Sequence, residues 1–308
     1  MSILTLEKVT KSFGNQKILD GIDLSIPKGS VYGFIGMNGA GKTTTMKLIL
    51  GLEELTEGEI RINGEVVTFG NTKTNHYTGY LPDVPDFYGF MTAREYLKLC
   101  GEITGISKKF LSVKVQEMIQ KVGLEDNKKQ IKTYSRGMKQ RLGAAQALLN
   151  EPKLLICDEP TSALDPSGRR EFLDLIASLK GDITILFSTH ILDDVERICD
   201  QVCILHKSKI VADGTLRELK SKYTSPQIEI QVDQESETLL VTILDQLIEE
   251  QKVQSYLKEK DAYLLSYTGN YTELVSQLFE QCKTSSIVPA LFRKVEPSLE
   301  RIFLEVTK

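Results

Sequence analysis

Gly36-Met37-Asn38-Gly39-Ala40-Gly41-Lys42-Thr43-Thr44 carries the spacing G-x-x-x-x-G-K-T of a phosphate-binding loop. It follows a strand-like run, Ser30-Val31-Tyr32-Gly33-Phe34-Ile35, and leads into a helical pattern from Thr43 to Leu50. Strand, glycine loop and helix are the context such a loop requires. The glycines let successive backbone N–H groups converge on a polyphosphate with no Cβ in the way. The new helix points its N-terminus, and its partial positive charge, at the same anion. Lys42 is placed to reach the β- and γ-phosphates, and the Thr43 hydroxyl to ligate Mg²⁺. Nucleotide contacts are therefore expected from Gly36, Asn38, Gly39, Ala40, Gly41, Lys42, Thr43 and Thr44.

The 308 residues suit two domains rather than one. Hydrophobic residues make up 41% and charged residues 26%, an ordinary globular composition. The net charge of −4 argues against a general polyanion binder, so no nucleic-acid partner is expected. No apolar run approaches the roughly 20 residues that span a bilayer. Met1 to Lys8 lacks a charged stretch followed by an apolar core, so no signal peptide is expected. Cys100, Cys157, Cys199, Cys203 and Cys282 are scattered with no CxxC pair, as expected of free thiols in a reducing compartment. These features predict a soluble, cytosolic chain.

Along the chain, residues 2–35 read as strand-rich, with period-two alternation from Ile3 to Val9 and turns at Gly14-Asn15 and Pro27-Lys28-Gly29. Residues 43–51 read as a helix ended by Gly51. Asn63-Gly64 between Ile60-Arg61-Ile62 and Glu65-Val66-Val67 is a two-residue hairpin signal. Thr92-Ala93-Arg94-Glu95 has the form of a capping box, predicting a helix from about Ala93. Helices are also expected over 111–122, 136–149, 166–179 and 192–199, buried strands over 154–157 and 183–187, and a hairpin over 202–211. The polar run Lys220 to Pro226 marks a boundary. This gives a first domain over 1–219, a linker over 220–226 and a second domain over 227–308. In the second, strands are expected at 227–232, 253–257, 262–267 and 286–292, and helices at 236–250, 271–282 and 298–306, the last capped by Pro297-Ser298. That alternation predicts a small α+β domain.

Lys153-Leu154-Leu155-Ile156-Cys157-Asp158-Glu159-Pro160 is an apolar strand ending in carboxylates, the Walker B pattern. Asp158 is placed to hold Mg²⁺, directly or through water. Glu159, one residue on, is placed to orient and polarise an attacking water. His190 follows the strand-like Ile183 to Phe187, whereas His76 and His206 lack such context and read as surface or packing residues. No Cys/His spacing of a transition-metal site is present.

Taken together, the phosphate loop, Tyr134-Ser135-Arg136-Gly137-Met138, Asp158-Glu159, Ser162-Ala163-Leu164-Asp165 and His190 resemble the ATP-binding subunit of ABC transporters over residues 2–217. The resemblance implies a P-loop NTPase α/β core with an antiparallel β subdomain, a helical insertion around 92–148 and a small C-terminal α+β domain. It implies ATP and Mg²⁺ as ligands and two chains closing head to tail, as a homodimer or a heterodimer with a related subunit. Tyr134 to Met138 look like the signature loop, in which Ser135 donates its hydroxyl and Gly137 its N–H to the γ-phosphate held by the opposite protomer. Ser162 to Asp165 look like the loop that spans the dimer interface. His190 looks like the switch histidine that contacts the γ-phosphate and helps hold Glu159. Phe13 is positioned like the aromatic residue that stacks on adenine, with plain core packing as its alternative.

Two positions depart from the family pattern. Asp83, after Gly79-Tyr80-Leu81-Pro82, stands where a glutamine that ligates Mg²⁺ is usual, and a carboxylate is still a good Mg²⁺ ligand. Tyr134 and Arg136 replace the usual leucine and first glycine of the signature. Both departures, and the terminal Pro297 to Val306, resemble a bacterial subgroup that mostly exports drugs, peptides or lantibiotics. The implied partner is a polytopic membrane permease on a separate chain, docking near Asp83 to Tyr96, with this chain peripheral at the cytoplasmic face. Soluble relatives in translation or DNA repair, and a regulatory or immunity ATPase on a membrane partner, are the competing classes. The former usually join two ATPase cores or carry coiled-coil arms, and this chain has one phosphate loop and no heptad arm.

Overall fold

In the computed structural model, which describes residues 2–71, 73–223, 226–295 and 298–307, the chain forms two compact units. One reaches to Leu216 and the other begins at Arg217.

The first unit holds two sheets. β1 (Ser2–Phe13) and β2 (Gln16–Pro27) pair antiparallel, then β3 (Val31–Gly36) leads through the glycine loop into α1 (Lys42–Ile49). β4 (Glu57–Ile62) and β5 (Glu65–Val66) complete an antiparallel sheet of order β2-β1-β4-β5. Asn63 (φ 50°) and Gly64 (φ 86°) both take the positive φ that the two-residue turn demands.

β6 (Thr78–Leu81) follows, then α2 (Ala93–Ile103), α3 (Lys108–Lys121) and α4 (Arg136–Leu148), which make the helical insertion. The capping box forms as expected: Thr92 Oγ1 accepts from Glu95 N–H, and the Glu95 carboxylate accepts from Thr92 N–H. The chain then alternates β7 (Leu154–Asp158), α5 (Pro166–Ser178), β8 (Thr184–Thr189), α6 (Leu192–Ile198), β9 (Gln201–His206) and β10 (Lys209–Thr215). The second sheet has order β10-β9-β3-β8-β7-β6. Its strands run parallel from β9 to β6, and β10 closes one edge antiparallel. Every residue of β3, β7 and β8 is buried, which explains their unbroken apolar runs. Each fully buried Leu, Ile or Phe among them contributes about 1.5–3 kcal/mol by leaving water.

β6 is an edge strand that the sequence pattern did not announce. It has four residues, and its Gly79 is there because α4 crosses it closely: a Cβ at Gly79 would stand 2.1 Å from the Ala147 carbonyl oxygen. Residues 220–223, expected in a linker, instead complete the helix α7 (Leu216–Tyr223). Leu219 is buried, Glu218 lies in the first turn and Lys220 and Lys222 in the last, an order that suits the helix dipole. Thr224 and Ser225 of the same stretch, and Pro297 of the expected cap, lie outside the described residues.

The second unit has β11 (Gln227–Gln231), α8 (Glu237–Glu249), β12 (Val253–Glu259), β13 (Ala262–Tyr267), α9 (Tyr271–Thr284), β14 (Leu291–Val295) and α10 (Leu299–Val306). The sheet order is β12-β13-β11-β14, all antiparallel, over a core that includes Ile228, Ile230, Leu244, Leu265 and Leu278. The strand expected at 286–292 is displaced to Leu291–Val295. α9 runs on to Thr284, Ser286 turns the chain at φ 56°, and Pro289 brings no N–H for a ladder.

Candidate nucleotide site

The candidate site residues cluster because adjacent parallel strands end on one side of the sheet. β3 delivers the glycine loop, β8 delivers His190, β7 delivers Asp158 and Glu159, and β6 delivers Asp83. The carboxyl ends of parallel strands are where α/β folds bind ligands.

The loop after β3 turns at Gly39 (φ 81°) and Gly41 (φ 110°), with Ala40 N–H donating to the Met37 carbonyl at 3.1 Å. Gly41 is also crowded: a Cβ would meet Ile18 Cγ2 and Leu19 Cδ2 at 3.1 Å. Met37, Asn38 and Gly39 are exposed at the tip, Ala40 and Thr44 are half-buried, and the Thr43 side chain is exposed beside the start of α1. Gly36 is buried at the end of β3.

Lys42 is buried as well, only 6% exposed. Its Nζ donates to the carbonyls of Gly36 (2.8 Å) and Met37 (3.3 Å), so the ammonium is folded under the loop it serves. It lies 3.0 Å from Glu159 Oε1, an ion pair without the geometry of a directed hydrogen bond. The other oxygen, Glu159 Oε2, lies 2.8 Å from His190 Nδ1 and accepts from His190 N–H at 3.3 Å. Lys42, Glu159 and His190 thus form one chain of charge and hydrogen bonds across three strand ends.

Glu159 holds that position with a backbone φ of 48°, a left-handed conformation that costs a non-glycine residue of order 1 kcal/mol or more. Its N–H donates to the Ser188 carbonyl at 2.9 Å, which locks the end of β7 to β8.

Asp158 is 3% exposed, and its Oδ1 has no hydrogen-bond partner. Burial pushes its carboxyl above the usual range; the neighbouring Thr43 and Ser188 hydroxyls act against that, Glu159 adds to it and Lys42 opposes it. A buried carboxylate oxygen with no donor is what a divalent cation would satisfy. The Thr43 hydroxyl beside it supplies a second oxygen of the right kind, so the donor set fits Mg²⁺. Among the described residues, no three His, Cys, Asp or Glu side chains gather into a metal cluster, so phosphate oxygens and water would complete the shell.

Asp83 is exposed, and its Oδ1 accepts from Ser162 Oγ. Burial first, then the charges of Asp158 and Asp83, pushes the Tyr80 hydroxyl up to about 12. Ser135 caps α4, its Oγ accepting from Met138 N–H at 3.2 Å. Around Gly137 there is room: a Cβ there would meet nothing closer than Leu164 Cδ2 at 3.9 Å. Phe13 is 48% exposed with Lys11 Nζ 4.5 Å from its ring centroid, so it is not a core residue.

Sequence reasoning missed one buried cluster behind the site. Asp194, 1% exposed, accepts from Thr161 Oγ1 and from Arg169 Nε, both at 2.5 Å. In the sequence Asp193-Asp194 reads only as acid in the first turn of α6, and no local signal links it to residues 25 and 33 positions away.

A family model described as ABC transporter matches residues 19–162. The chain is 37% identical to the uncharacterized ABC transporter ATP-binding protein YxlF of Bacillus subtilis (strain 168), over 99% of each chain. It is 40% identical to the bacitracin transport ATP-binding protein BcrA of Bacillus licheniformis, over 78% of each. A solved ATP-binding subunit of an ABC transporter, 32% identical, superposes with a TM-score of 0.66 over 72% of this chain and 93% of that one.

Proposed function

The chain belongs to the family of ABC transporter ATP-binding subunits, and from that membership we propose that it is the ATPase motor of an exporter. Subunits of this family hydrolyse ATP and work with a membrane permease, so the chain is an ATPase. The relative that covers nearly the whole chain shares its second unit as well. Export is supported by the departures at Asp83 and Arg136 and by the relative named for bacitracin transport. Among the described residues no helix is long and apolar enough to cross a membrane, and on the family pattern the channel is a separate polytopic permease. The chain then works at the cytoplasmic face.

One observation carries the mechanism: Lys42, Glu159 and His190 meet in one connected array beside the orphaned oxygen of Asp158. Two chains, identical or related, close head to tail over two ATP molecules. The N–H groups of Gly39 to Thr44 cradle the phosphates and Phe13 stacks on the adenine. Asp158 and Thr43 would hold Mg²⁺, and the ion would supply positive charge against the phosphates. Lys42 exchanges its Glu159 partner for phosphate, which leaves the carboxylate free to take a proton from water. His190 keeps Glu159 in place and faces the γ-phosphate. Ser135 and Gly137 of the opposite chain supply an O–H and an N–H to the same phosphate. Catalysis is then positioning plus charge stabilisation.

The permease docks at a groove of about 490 Å³ lined by Tyr88, Tyr96, Leu99, Cys100, Ile103 and Gln146. Tyr88 is exposed, as is Phe90, whose ring centroid lies 6.0 Å from that of Tyr88.

The test is to purify a Glu159→Gln chain with ATP from detergent-solubilised native membranes and identify its companions by mass spectrometry. A stoichiometric polytopic membrane protein is expected. Ribosomes, nucleic acid or no companion would overturn the exporter reading.

A further inference from the structure

We propose that Asp83 is a positioning residue: its hydrogen bond with Ser162 ties the exposed aromatic loop to the turn that carries Glu159. The proposal rests on the reading of Glu159 as the general base. Asp83 and Glu159 leave the ends of neighbouring strands, since β6 pairs with β7 up to Leu81 opposite Cys157. The Asp83 carboxylate accepts from Ser162 Oγ, and Ser162 N–H donates to the Glu159 carbonyl at 3.2 Å. One residue therefore joins Asp83 to the backbone of Glu159, at the point where that backbone has φ 48°. A strained conformation persists only where its surroundings over-determine it, and Ser162 is part of those surroundings.

The other side of the same loop is anchored too. A Cβ at Gly143 would stand 2.7 Å from Leu81 Cδ1 and 3.3 Å from Pro85 Cβ, so the residues flanking Asp83 lie tight against α4. α4 is the helix that Ser135 caps. Beyond Pro85 the loop presents Tyr88 and Phe90 to solvent, and Val84 before it is exposed as well. A push on those side chains has two rigid outlets: α4 through Leu81 and Pro85, and the Glu159 turn through Asp83 and Ser162. An ionised carboxylate only accepts and a serine hydroxyl has one proton to give, so the link has a fixed direction. The substitution Asp83→Asn keeps an acceptor oxygen at this position, and Asp83→Ala does not.

The experiment uses the full chain with Asp83→Ala, Asp83→Asn, Ser162→Ala and the Asp83→Ala/Ser162→Ala double variant. Both residues are exposed, so melting temperatures stay at the wild-type value. Asp83→Ala and Ser162→Ala should each lower kcat about tenfold with the KM for ATP within about twofold, the scale of one charge-assisted hydrogen bond. The double variant should lose no more than either single one, and Asp83→Asn should recover most of the rate. The Mg²⁺ concentration for half-maximal rate should not move. In the nucleotide-free chain, hydrogen exchange at the amides of residues 162–164 should quicken in both alanine variants and not in Asp83→Asn. Losses that multiply in the double variant, or a raised Mg²⁺ requirement in Asp83→Ala alone, would overturn the link and make Asp83 a metal ligand. Near wild-type turnover of Glu159→Gln would instead overturn the reading of Glu159, and this proposal with it.

Discussion

Lys42 Nζ and Glu159 Oε1 stand 3.0 Å apart, so the ammonium of the glycine-loop lysine and the carboxylate of the candidate base neutralise each other. Both side chains are largely buried, which makes the pair more than a surface contact. In the proposed mechanism polyphosphate competes for the same ammonium, and binding it releases the carboxylate. On that reading the pair couples the arrival of ATP to the activation of the base.

Replacing Glu159 by Gln keeps size and the acceptor oxygen but removes the base. ATP binding should persist, the ATP-bound dimer should accumulate, and turnover should fall about 10²–10⁴-fold, the usual worth of a general base. Sedimentation with ATP and a phosphate-release assay check both halves, and a monomeric variant with ATP bound would contradict the head-to-tail sandwich.

The exposed ring of Phe13 is proposed to serve binding rather than stability. Phe13→Ala should weaken ATP binding about tenfold, within the ~1–3 kcal/mol of a base–aromatic stack, and leave kcat unchanged. Fluorescent-nucleotide titration reads the effect, and an unchanged dissociation constant would remove Phe13 from the site.

Asp158 trades stability for function. Its carboxyl holds a proton more tightly folded than unfolded, because burial outweighs its hydroxyl neighbours. Stability therefore falls as pH rises from the unfolded value through the raised folded one. Asp158→Asn should raise the melting temperature by about 2–4 °C at pH 7 without Mg²⁺ or ATP. The gain should vanish as pH is lowered below the ordinary aspartate range. ATPase activity should be lost throughout. Calorimetry across pH, with a gain that did not shrink in acid, would refute the burial cost.

Arg169→Met leaves Asp194 buried with Thr161 as its only remaining described partner. The loss expected is about 2–4 kcal/mol, near the low end for breaking a buried pair because Arg169 is partly exposed. Urea denaturation reads it as a lower midpoint with an unchanged slope.

Gly79→Ala forces a Cβ to within 2.1 Å of the Ala147 carbonyl oxygen, and backbone cannot step aside as a side-chain tip does. A loss of about 3 kcal/mol or more is expected, since overpacking here moves α4 off β6. A stable, fully active variant would show that the helix and strand separate freely.

Much of the molecule was written in its local chemistry. The glycines and Lys42, the apolar run ending at Asp158, the Asn63-Gly64 turn and the Thr92 capping box act through neighbours in the chain. Spacing alone therefore exposed them. The second unit was legible as alternation, but Pro289 and the longer α9 moved its last strand beyond the expected range.

Tertiary structure decided what depends on residues far apart in sequence. β6 is four residues long and exists because β7 offers it a ladder and α4 offers it a wall. Asp194 is an ordinary first-turn acid until α5 and the loop after β7 close over it. Asp83 was readable by position as a metal ligand, whereas its hydrogen bond to Ser162 spans 79 residues and has no trace in local pattern. Short-range periodicity and turn chemistry record what a segment does alone. Which carboxylate meets which hydroxyl is set by the order of parallel strands, and that order forms only when the sheet does.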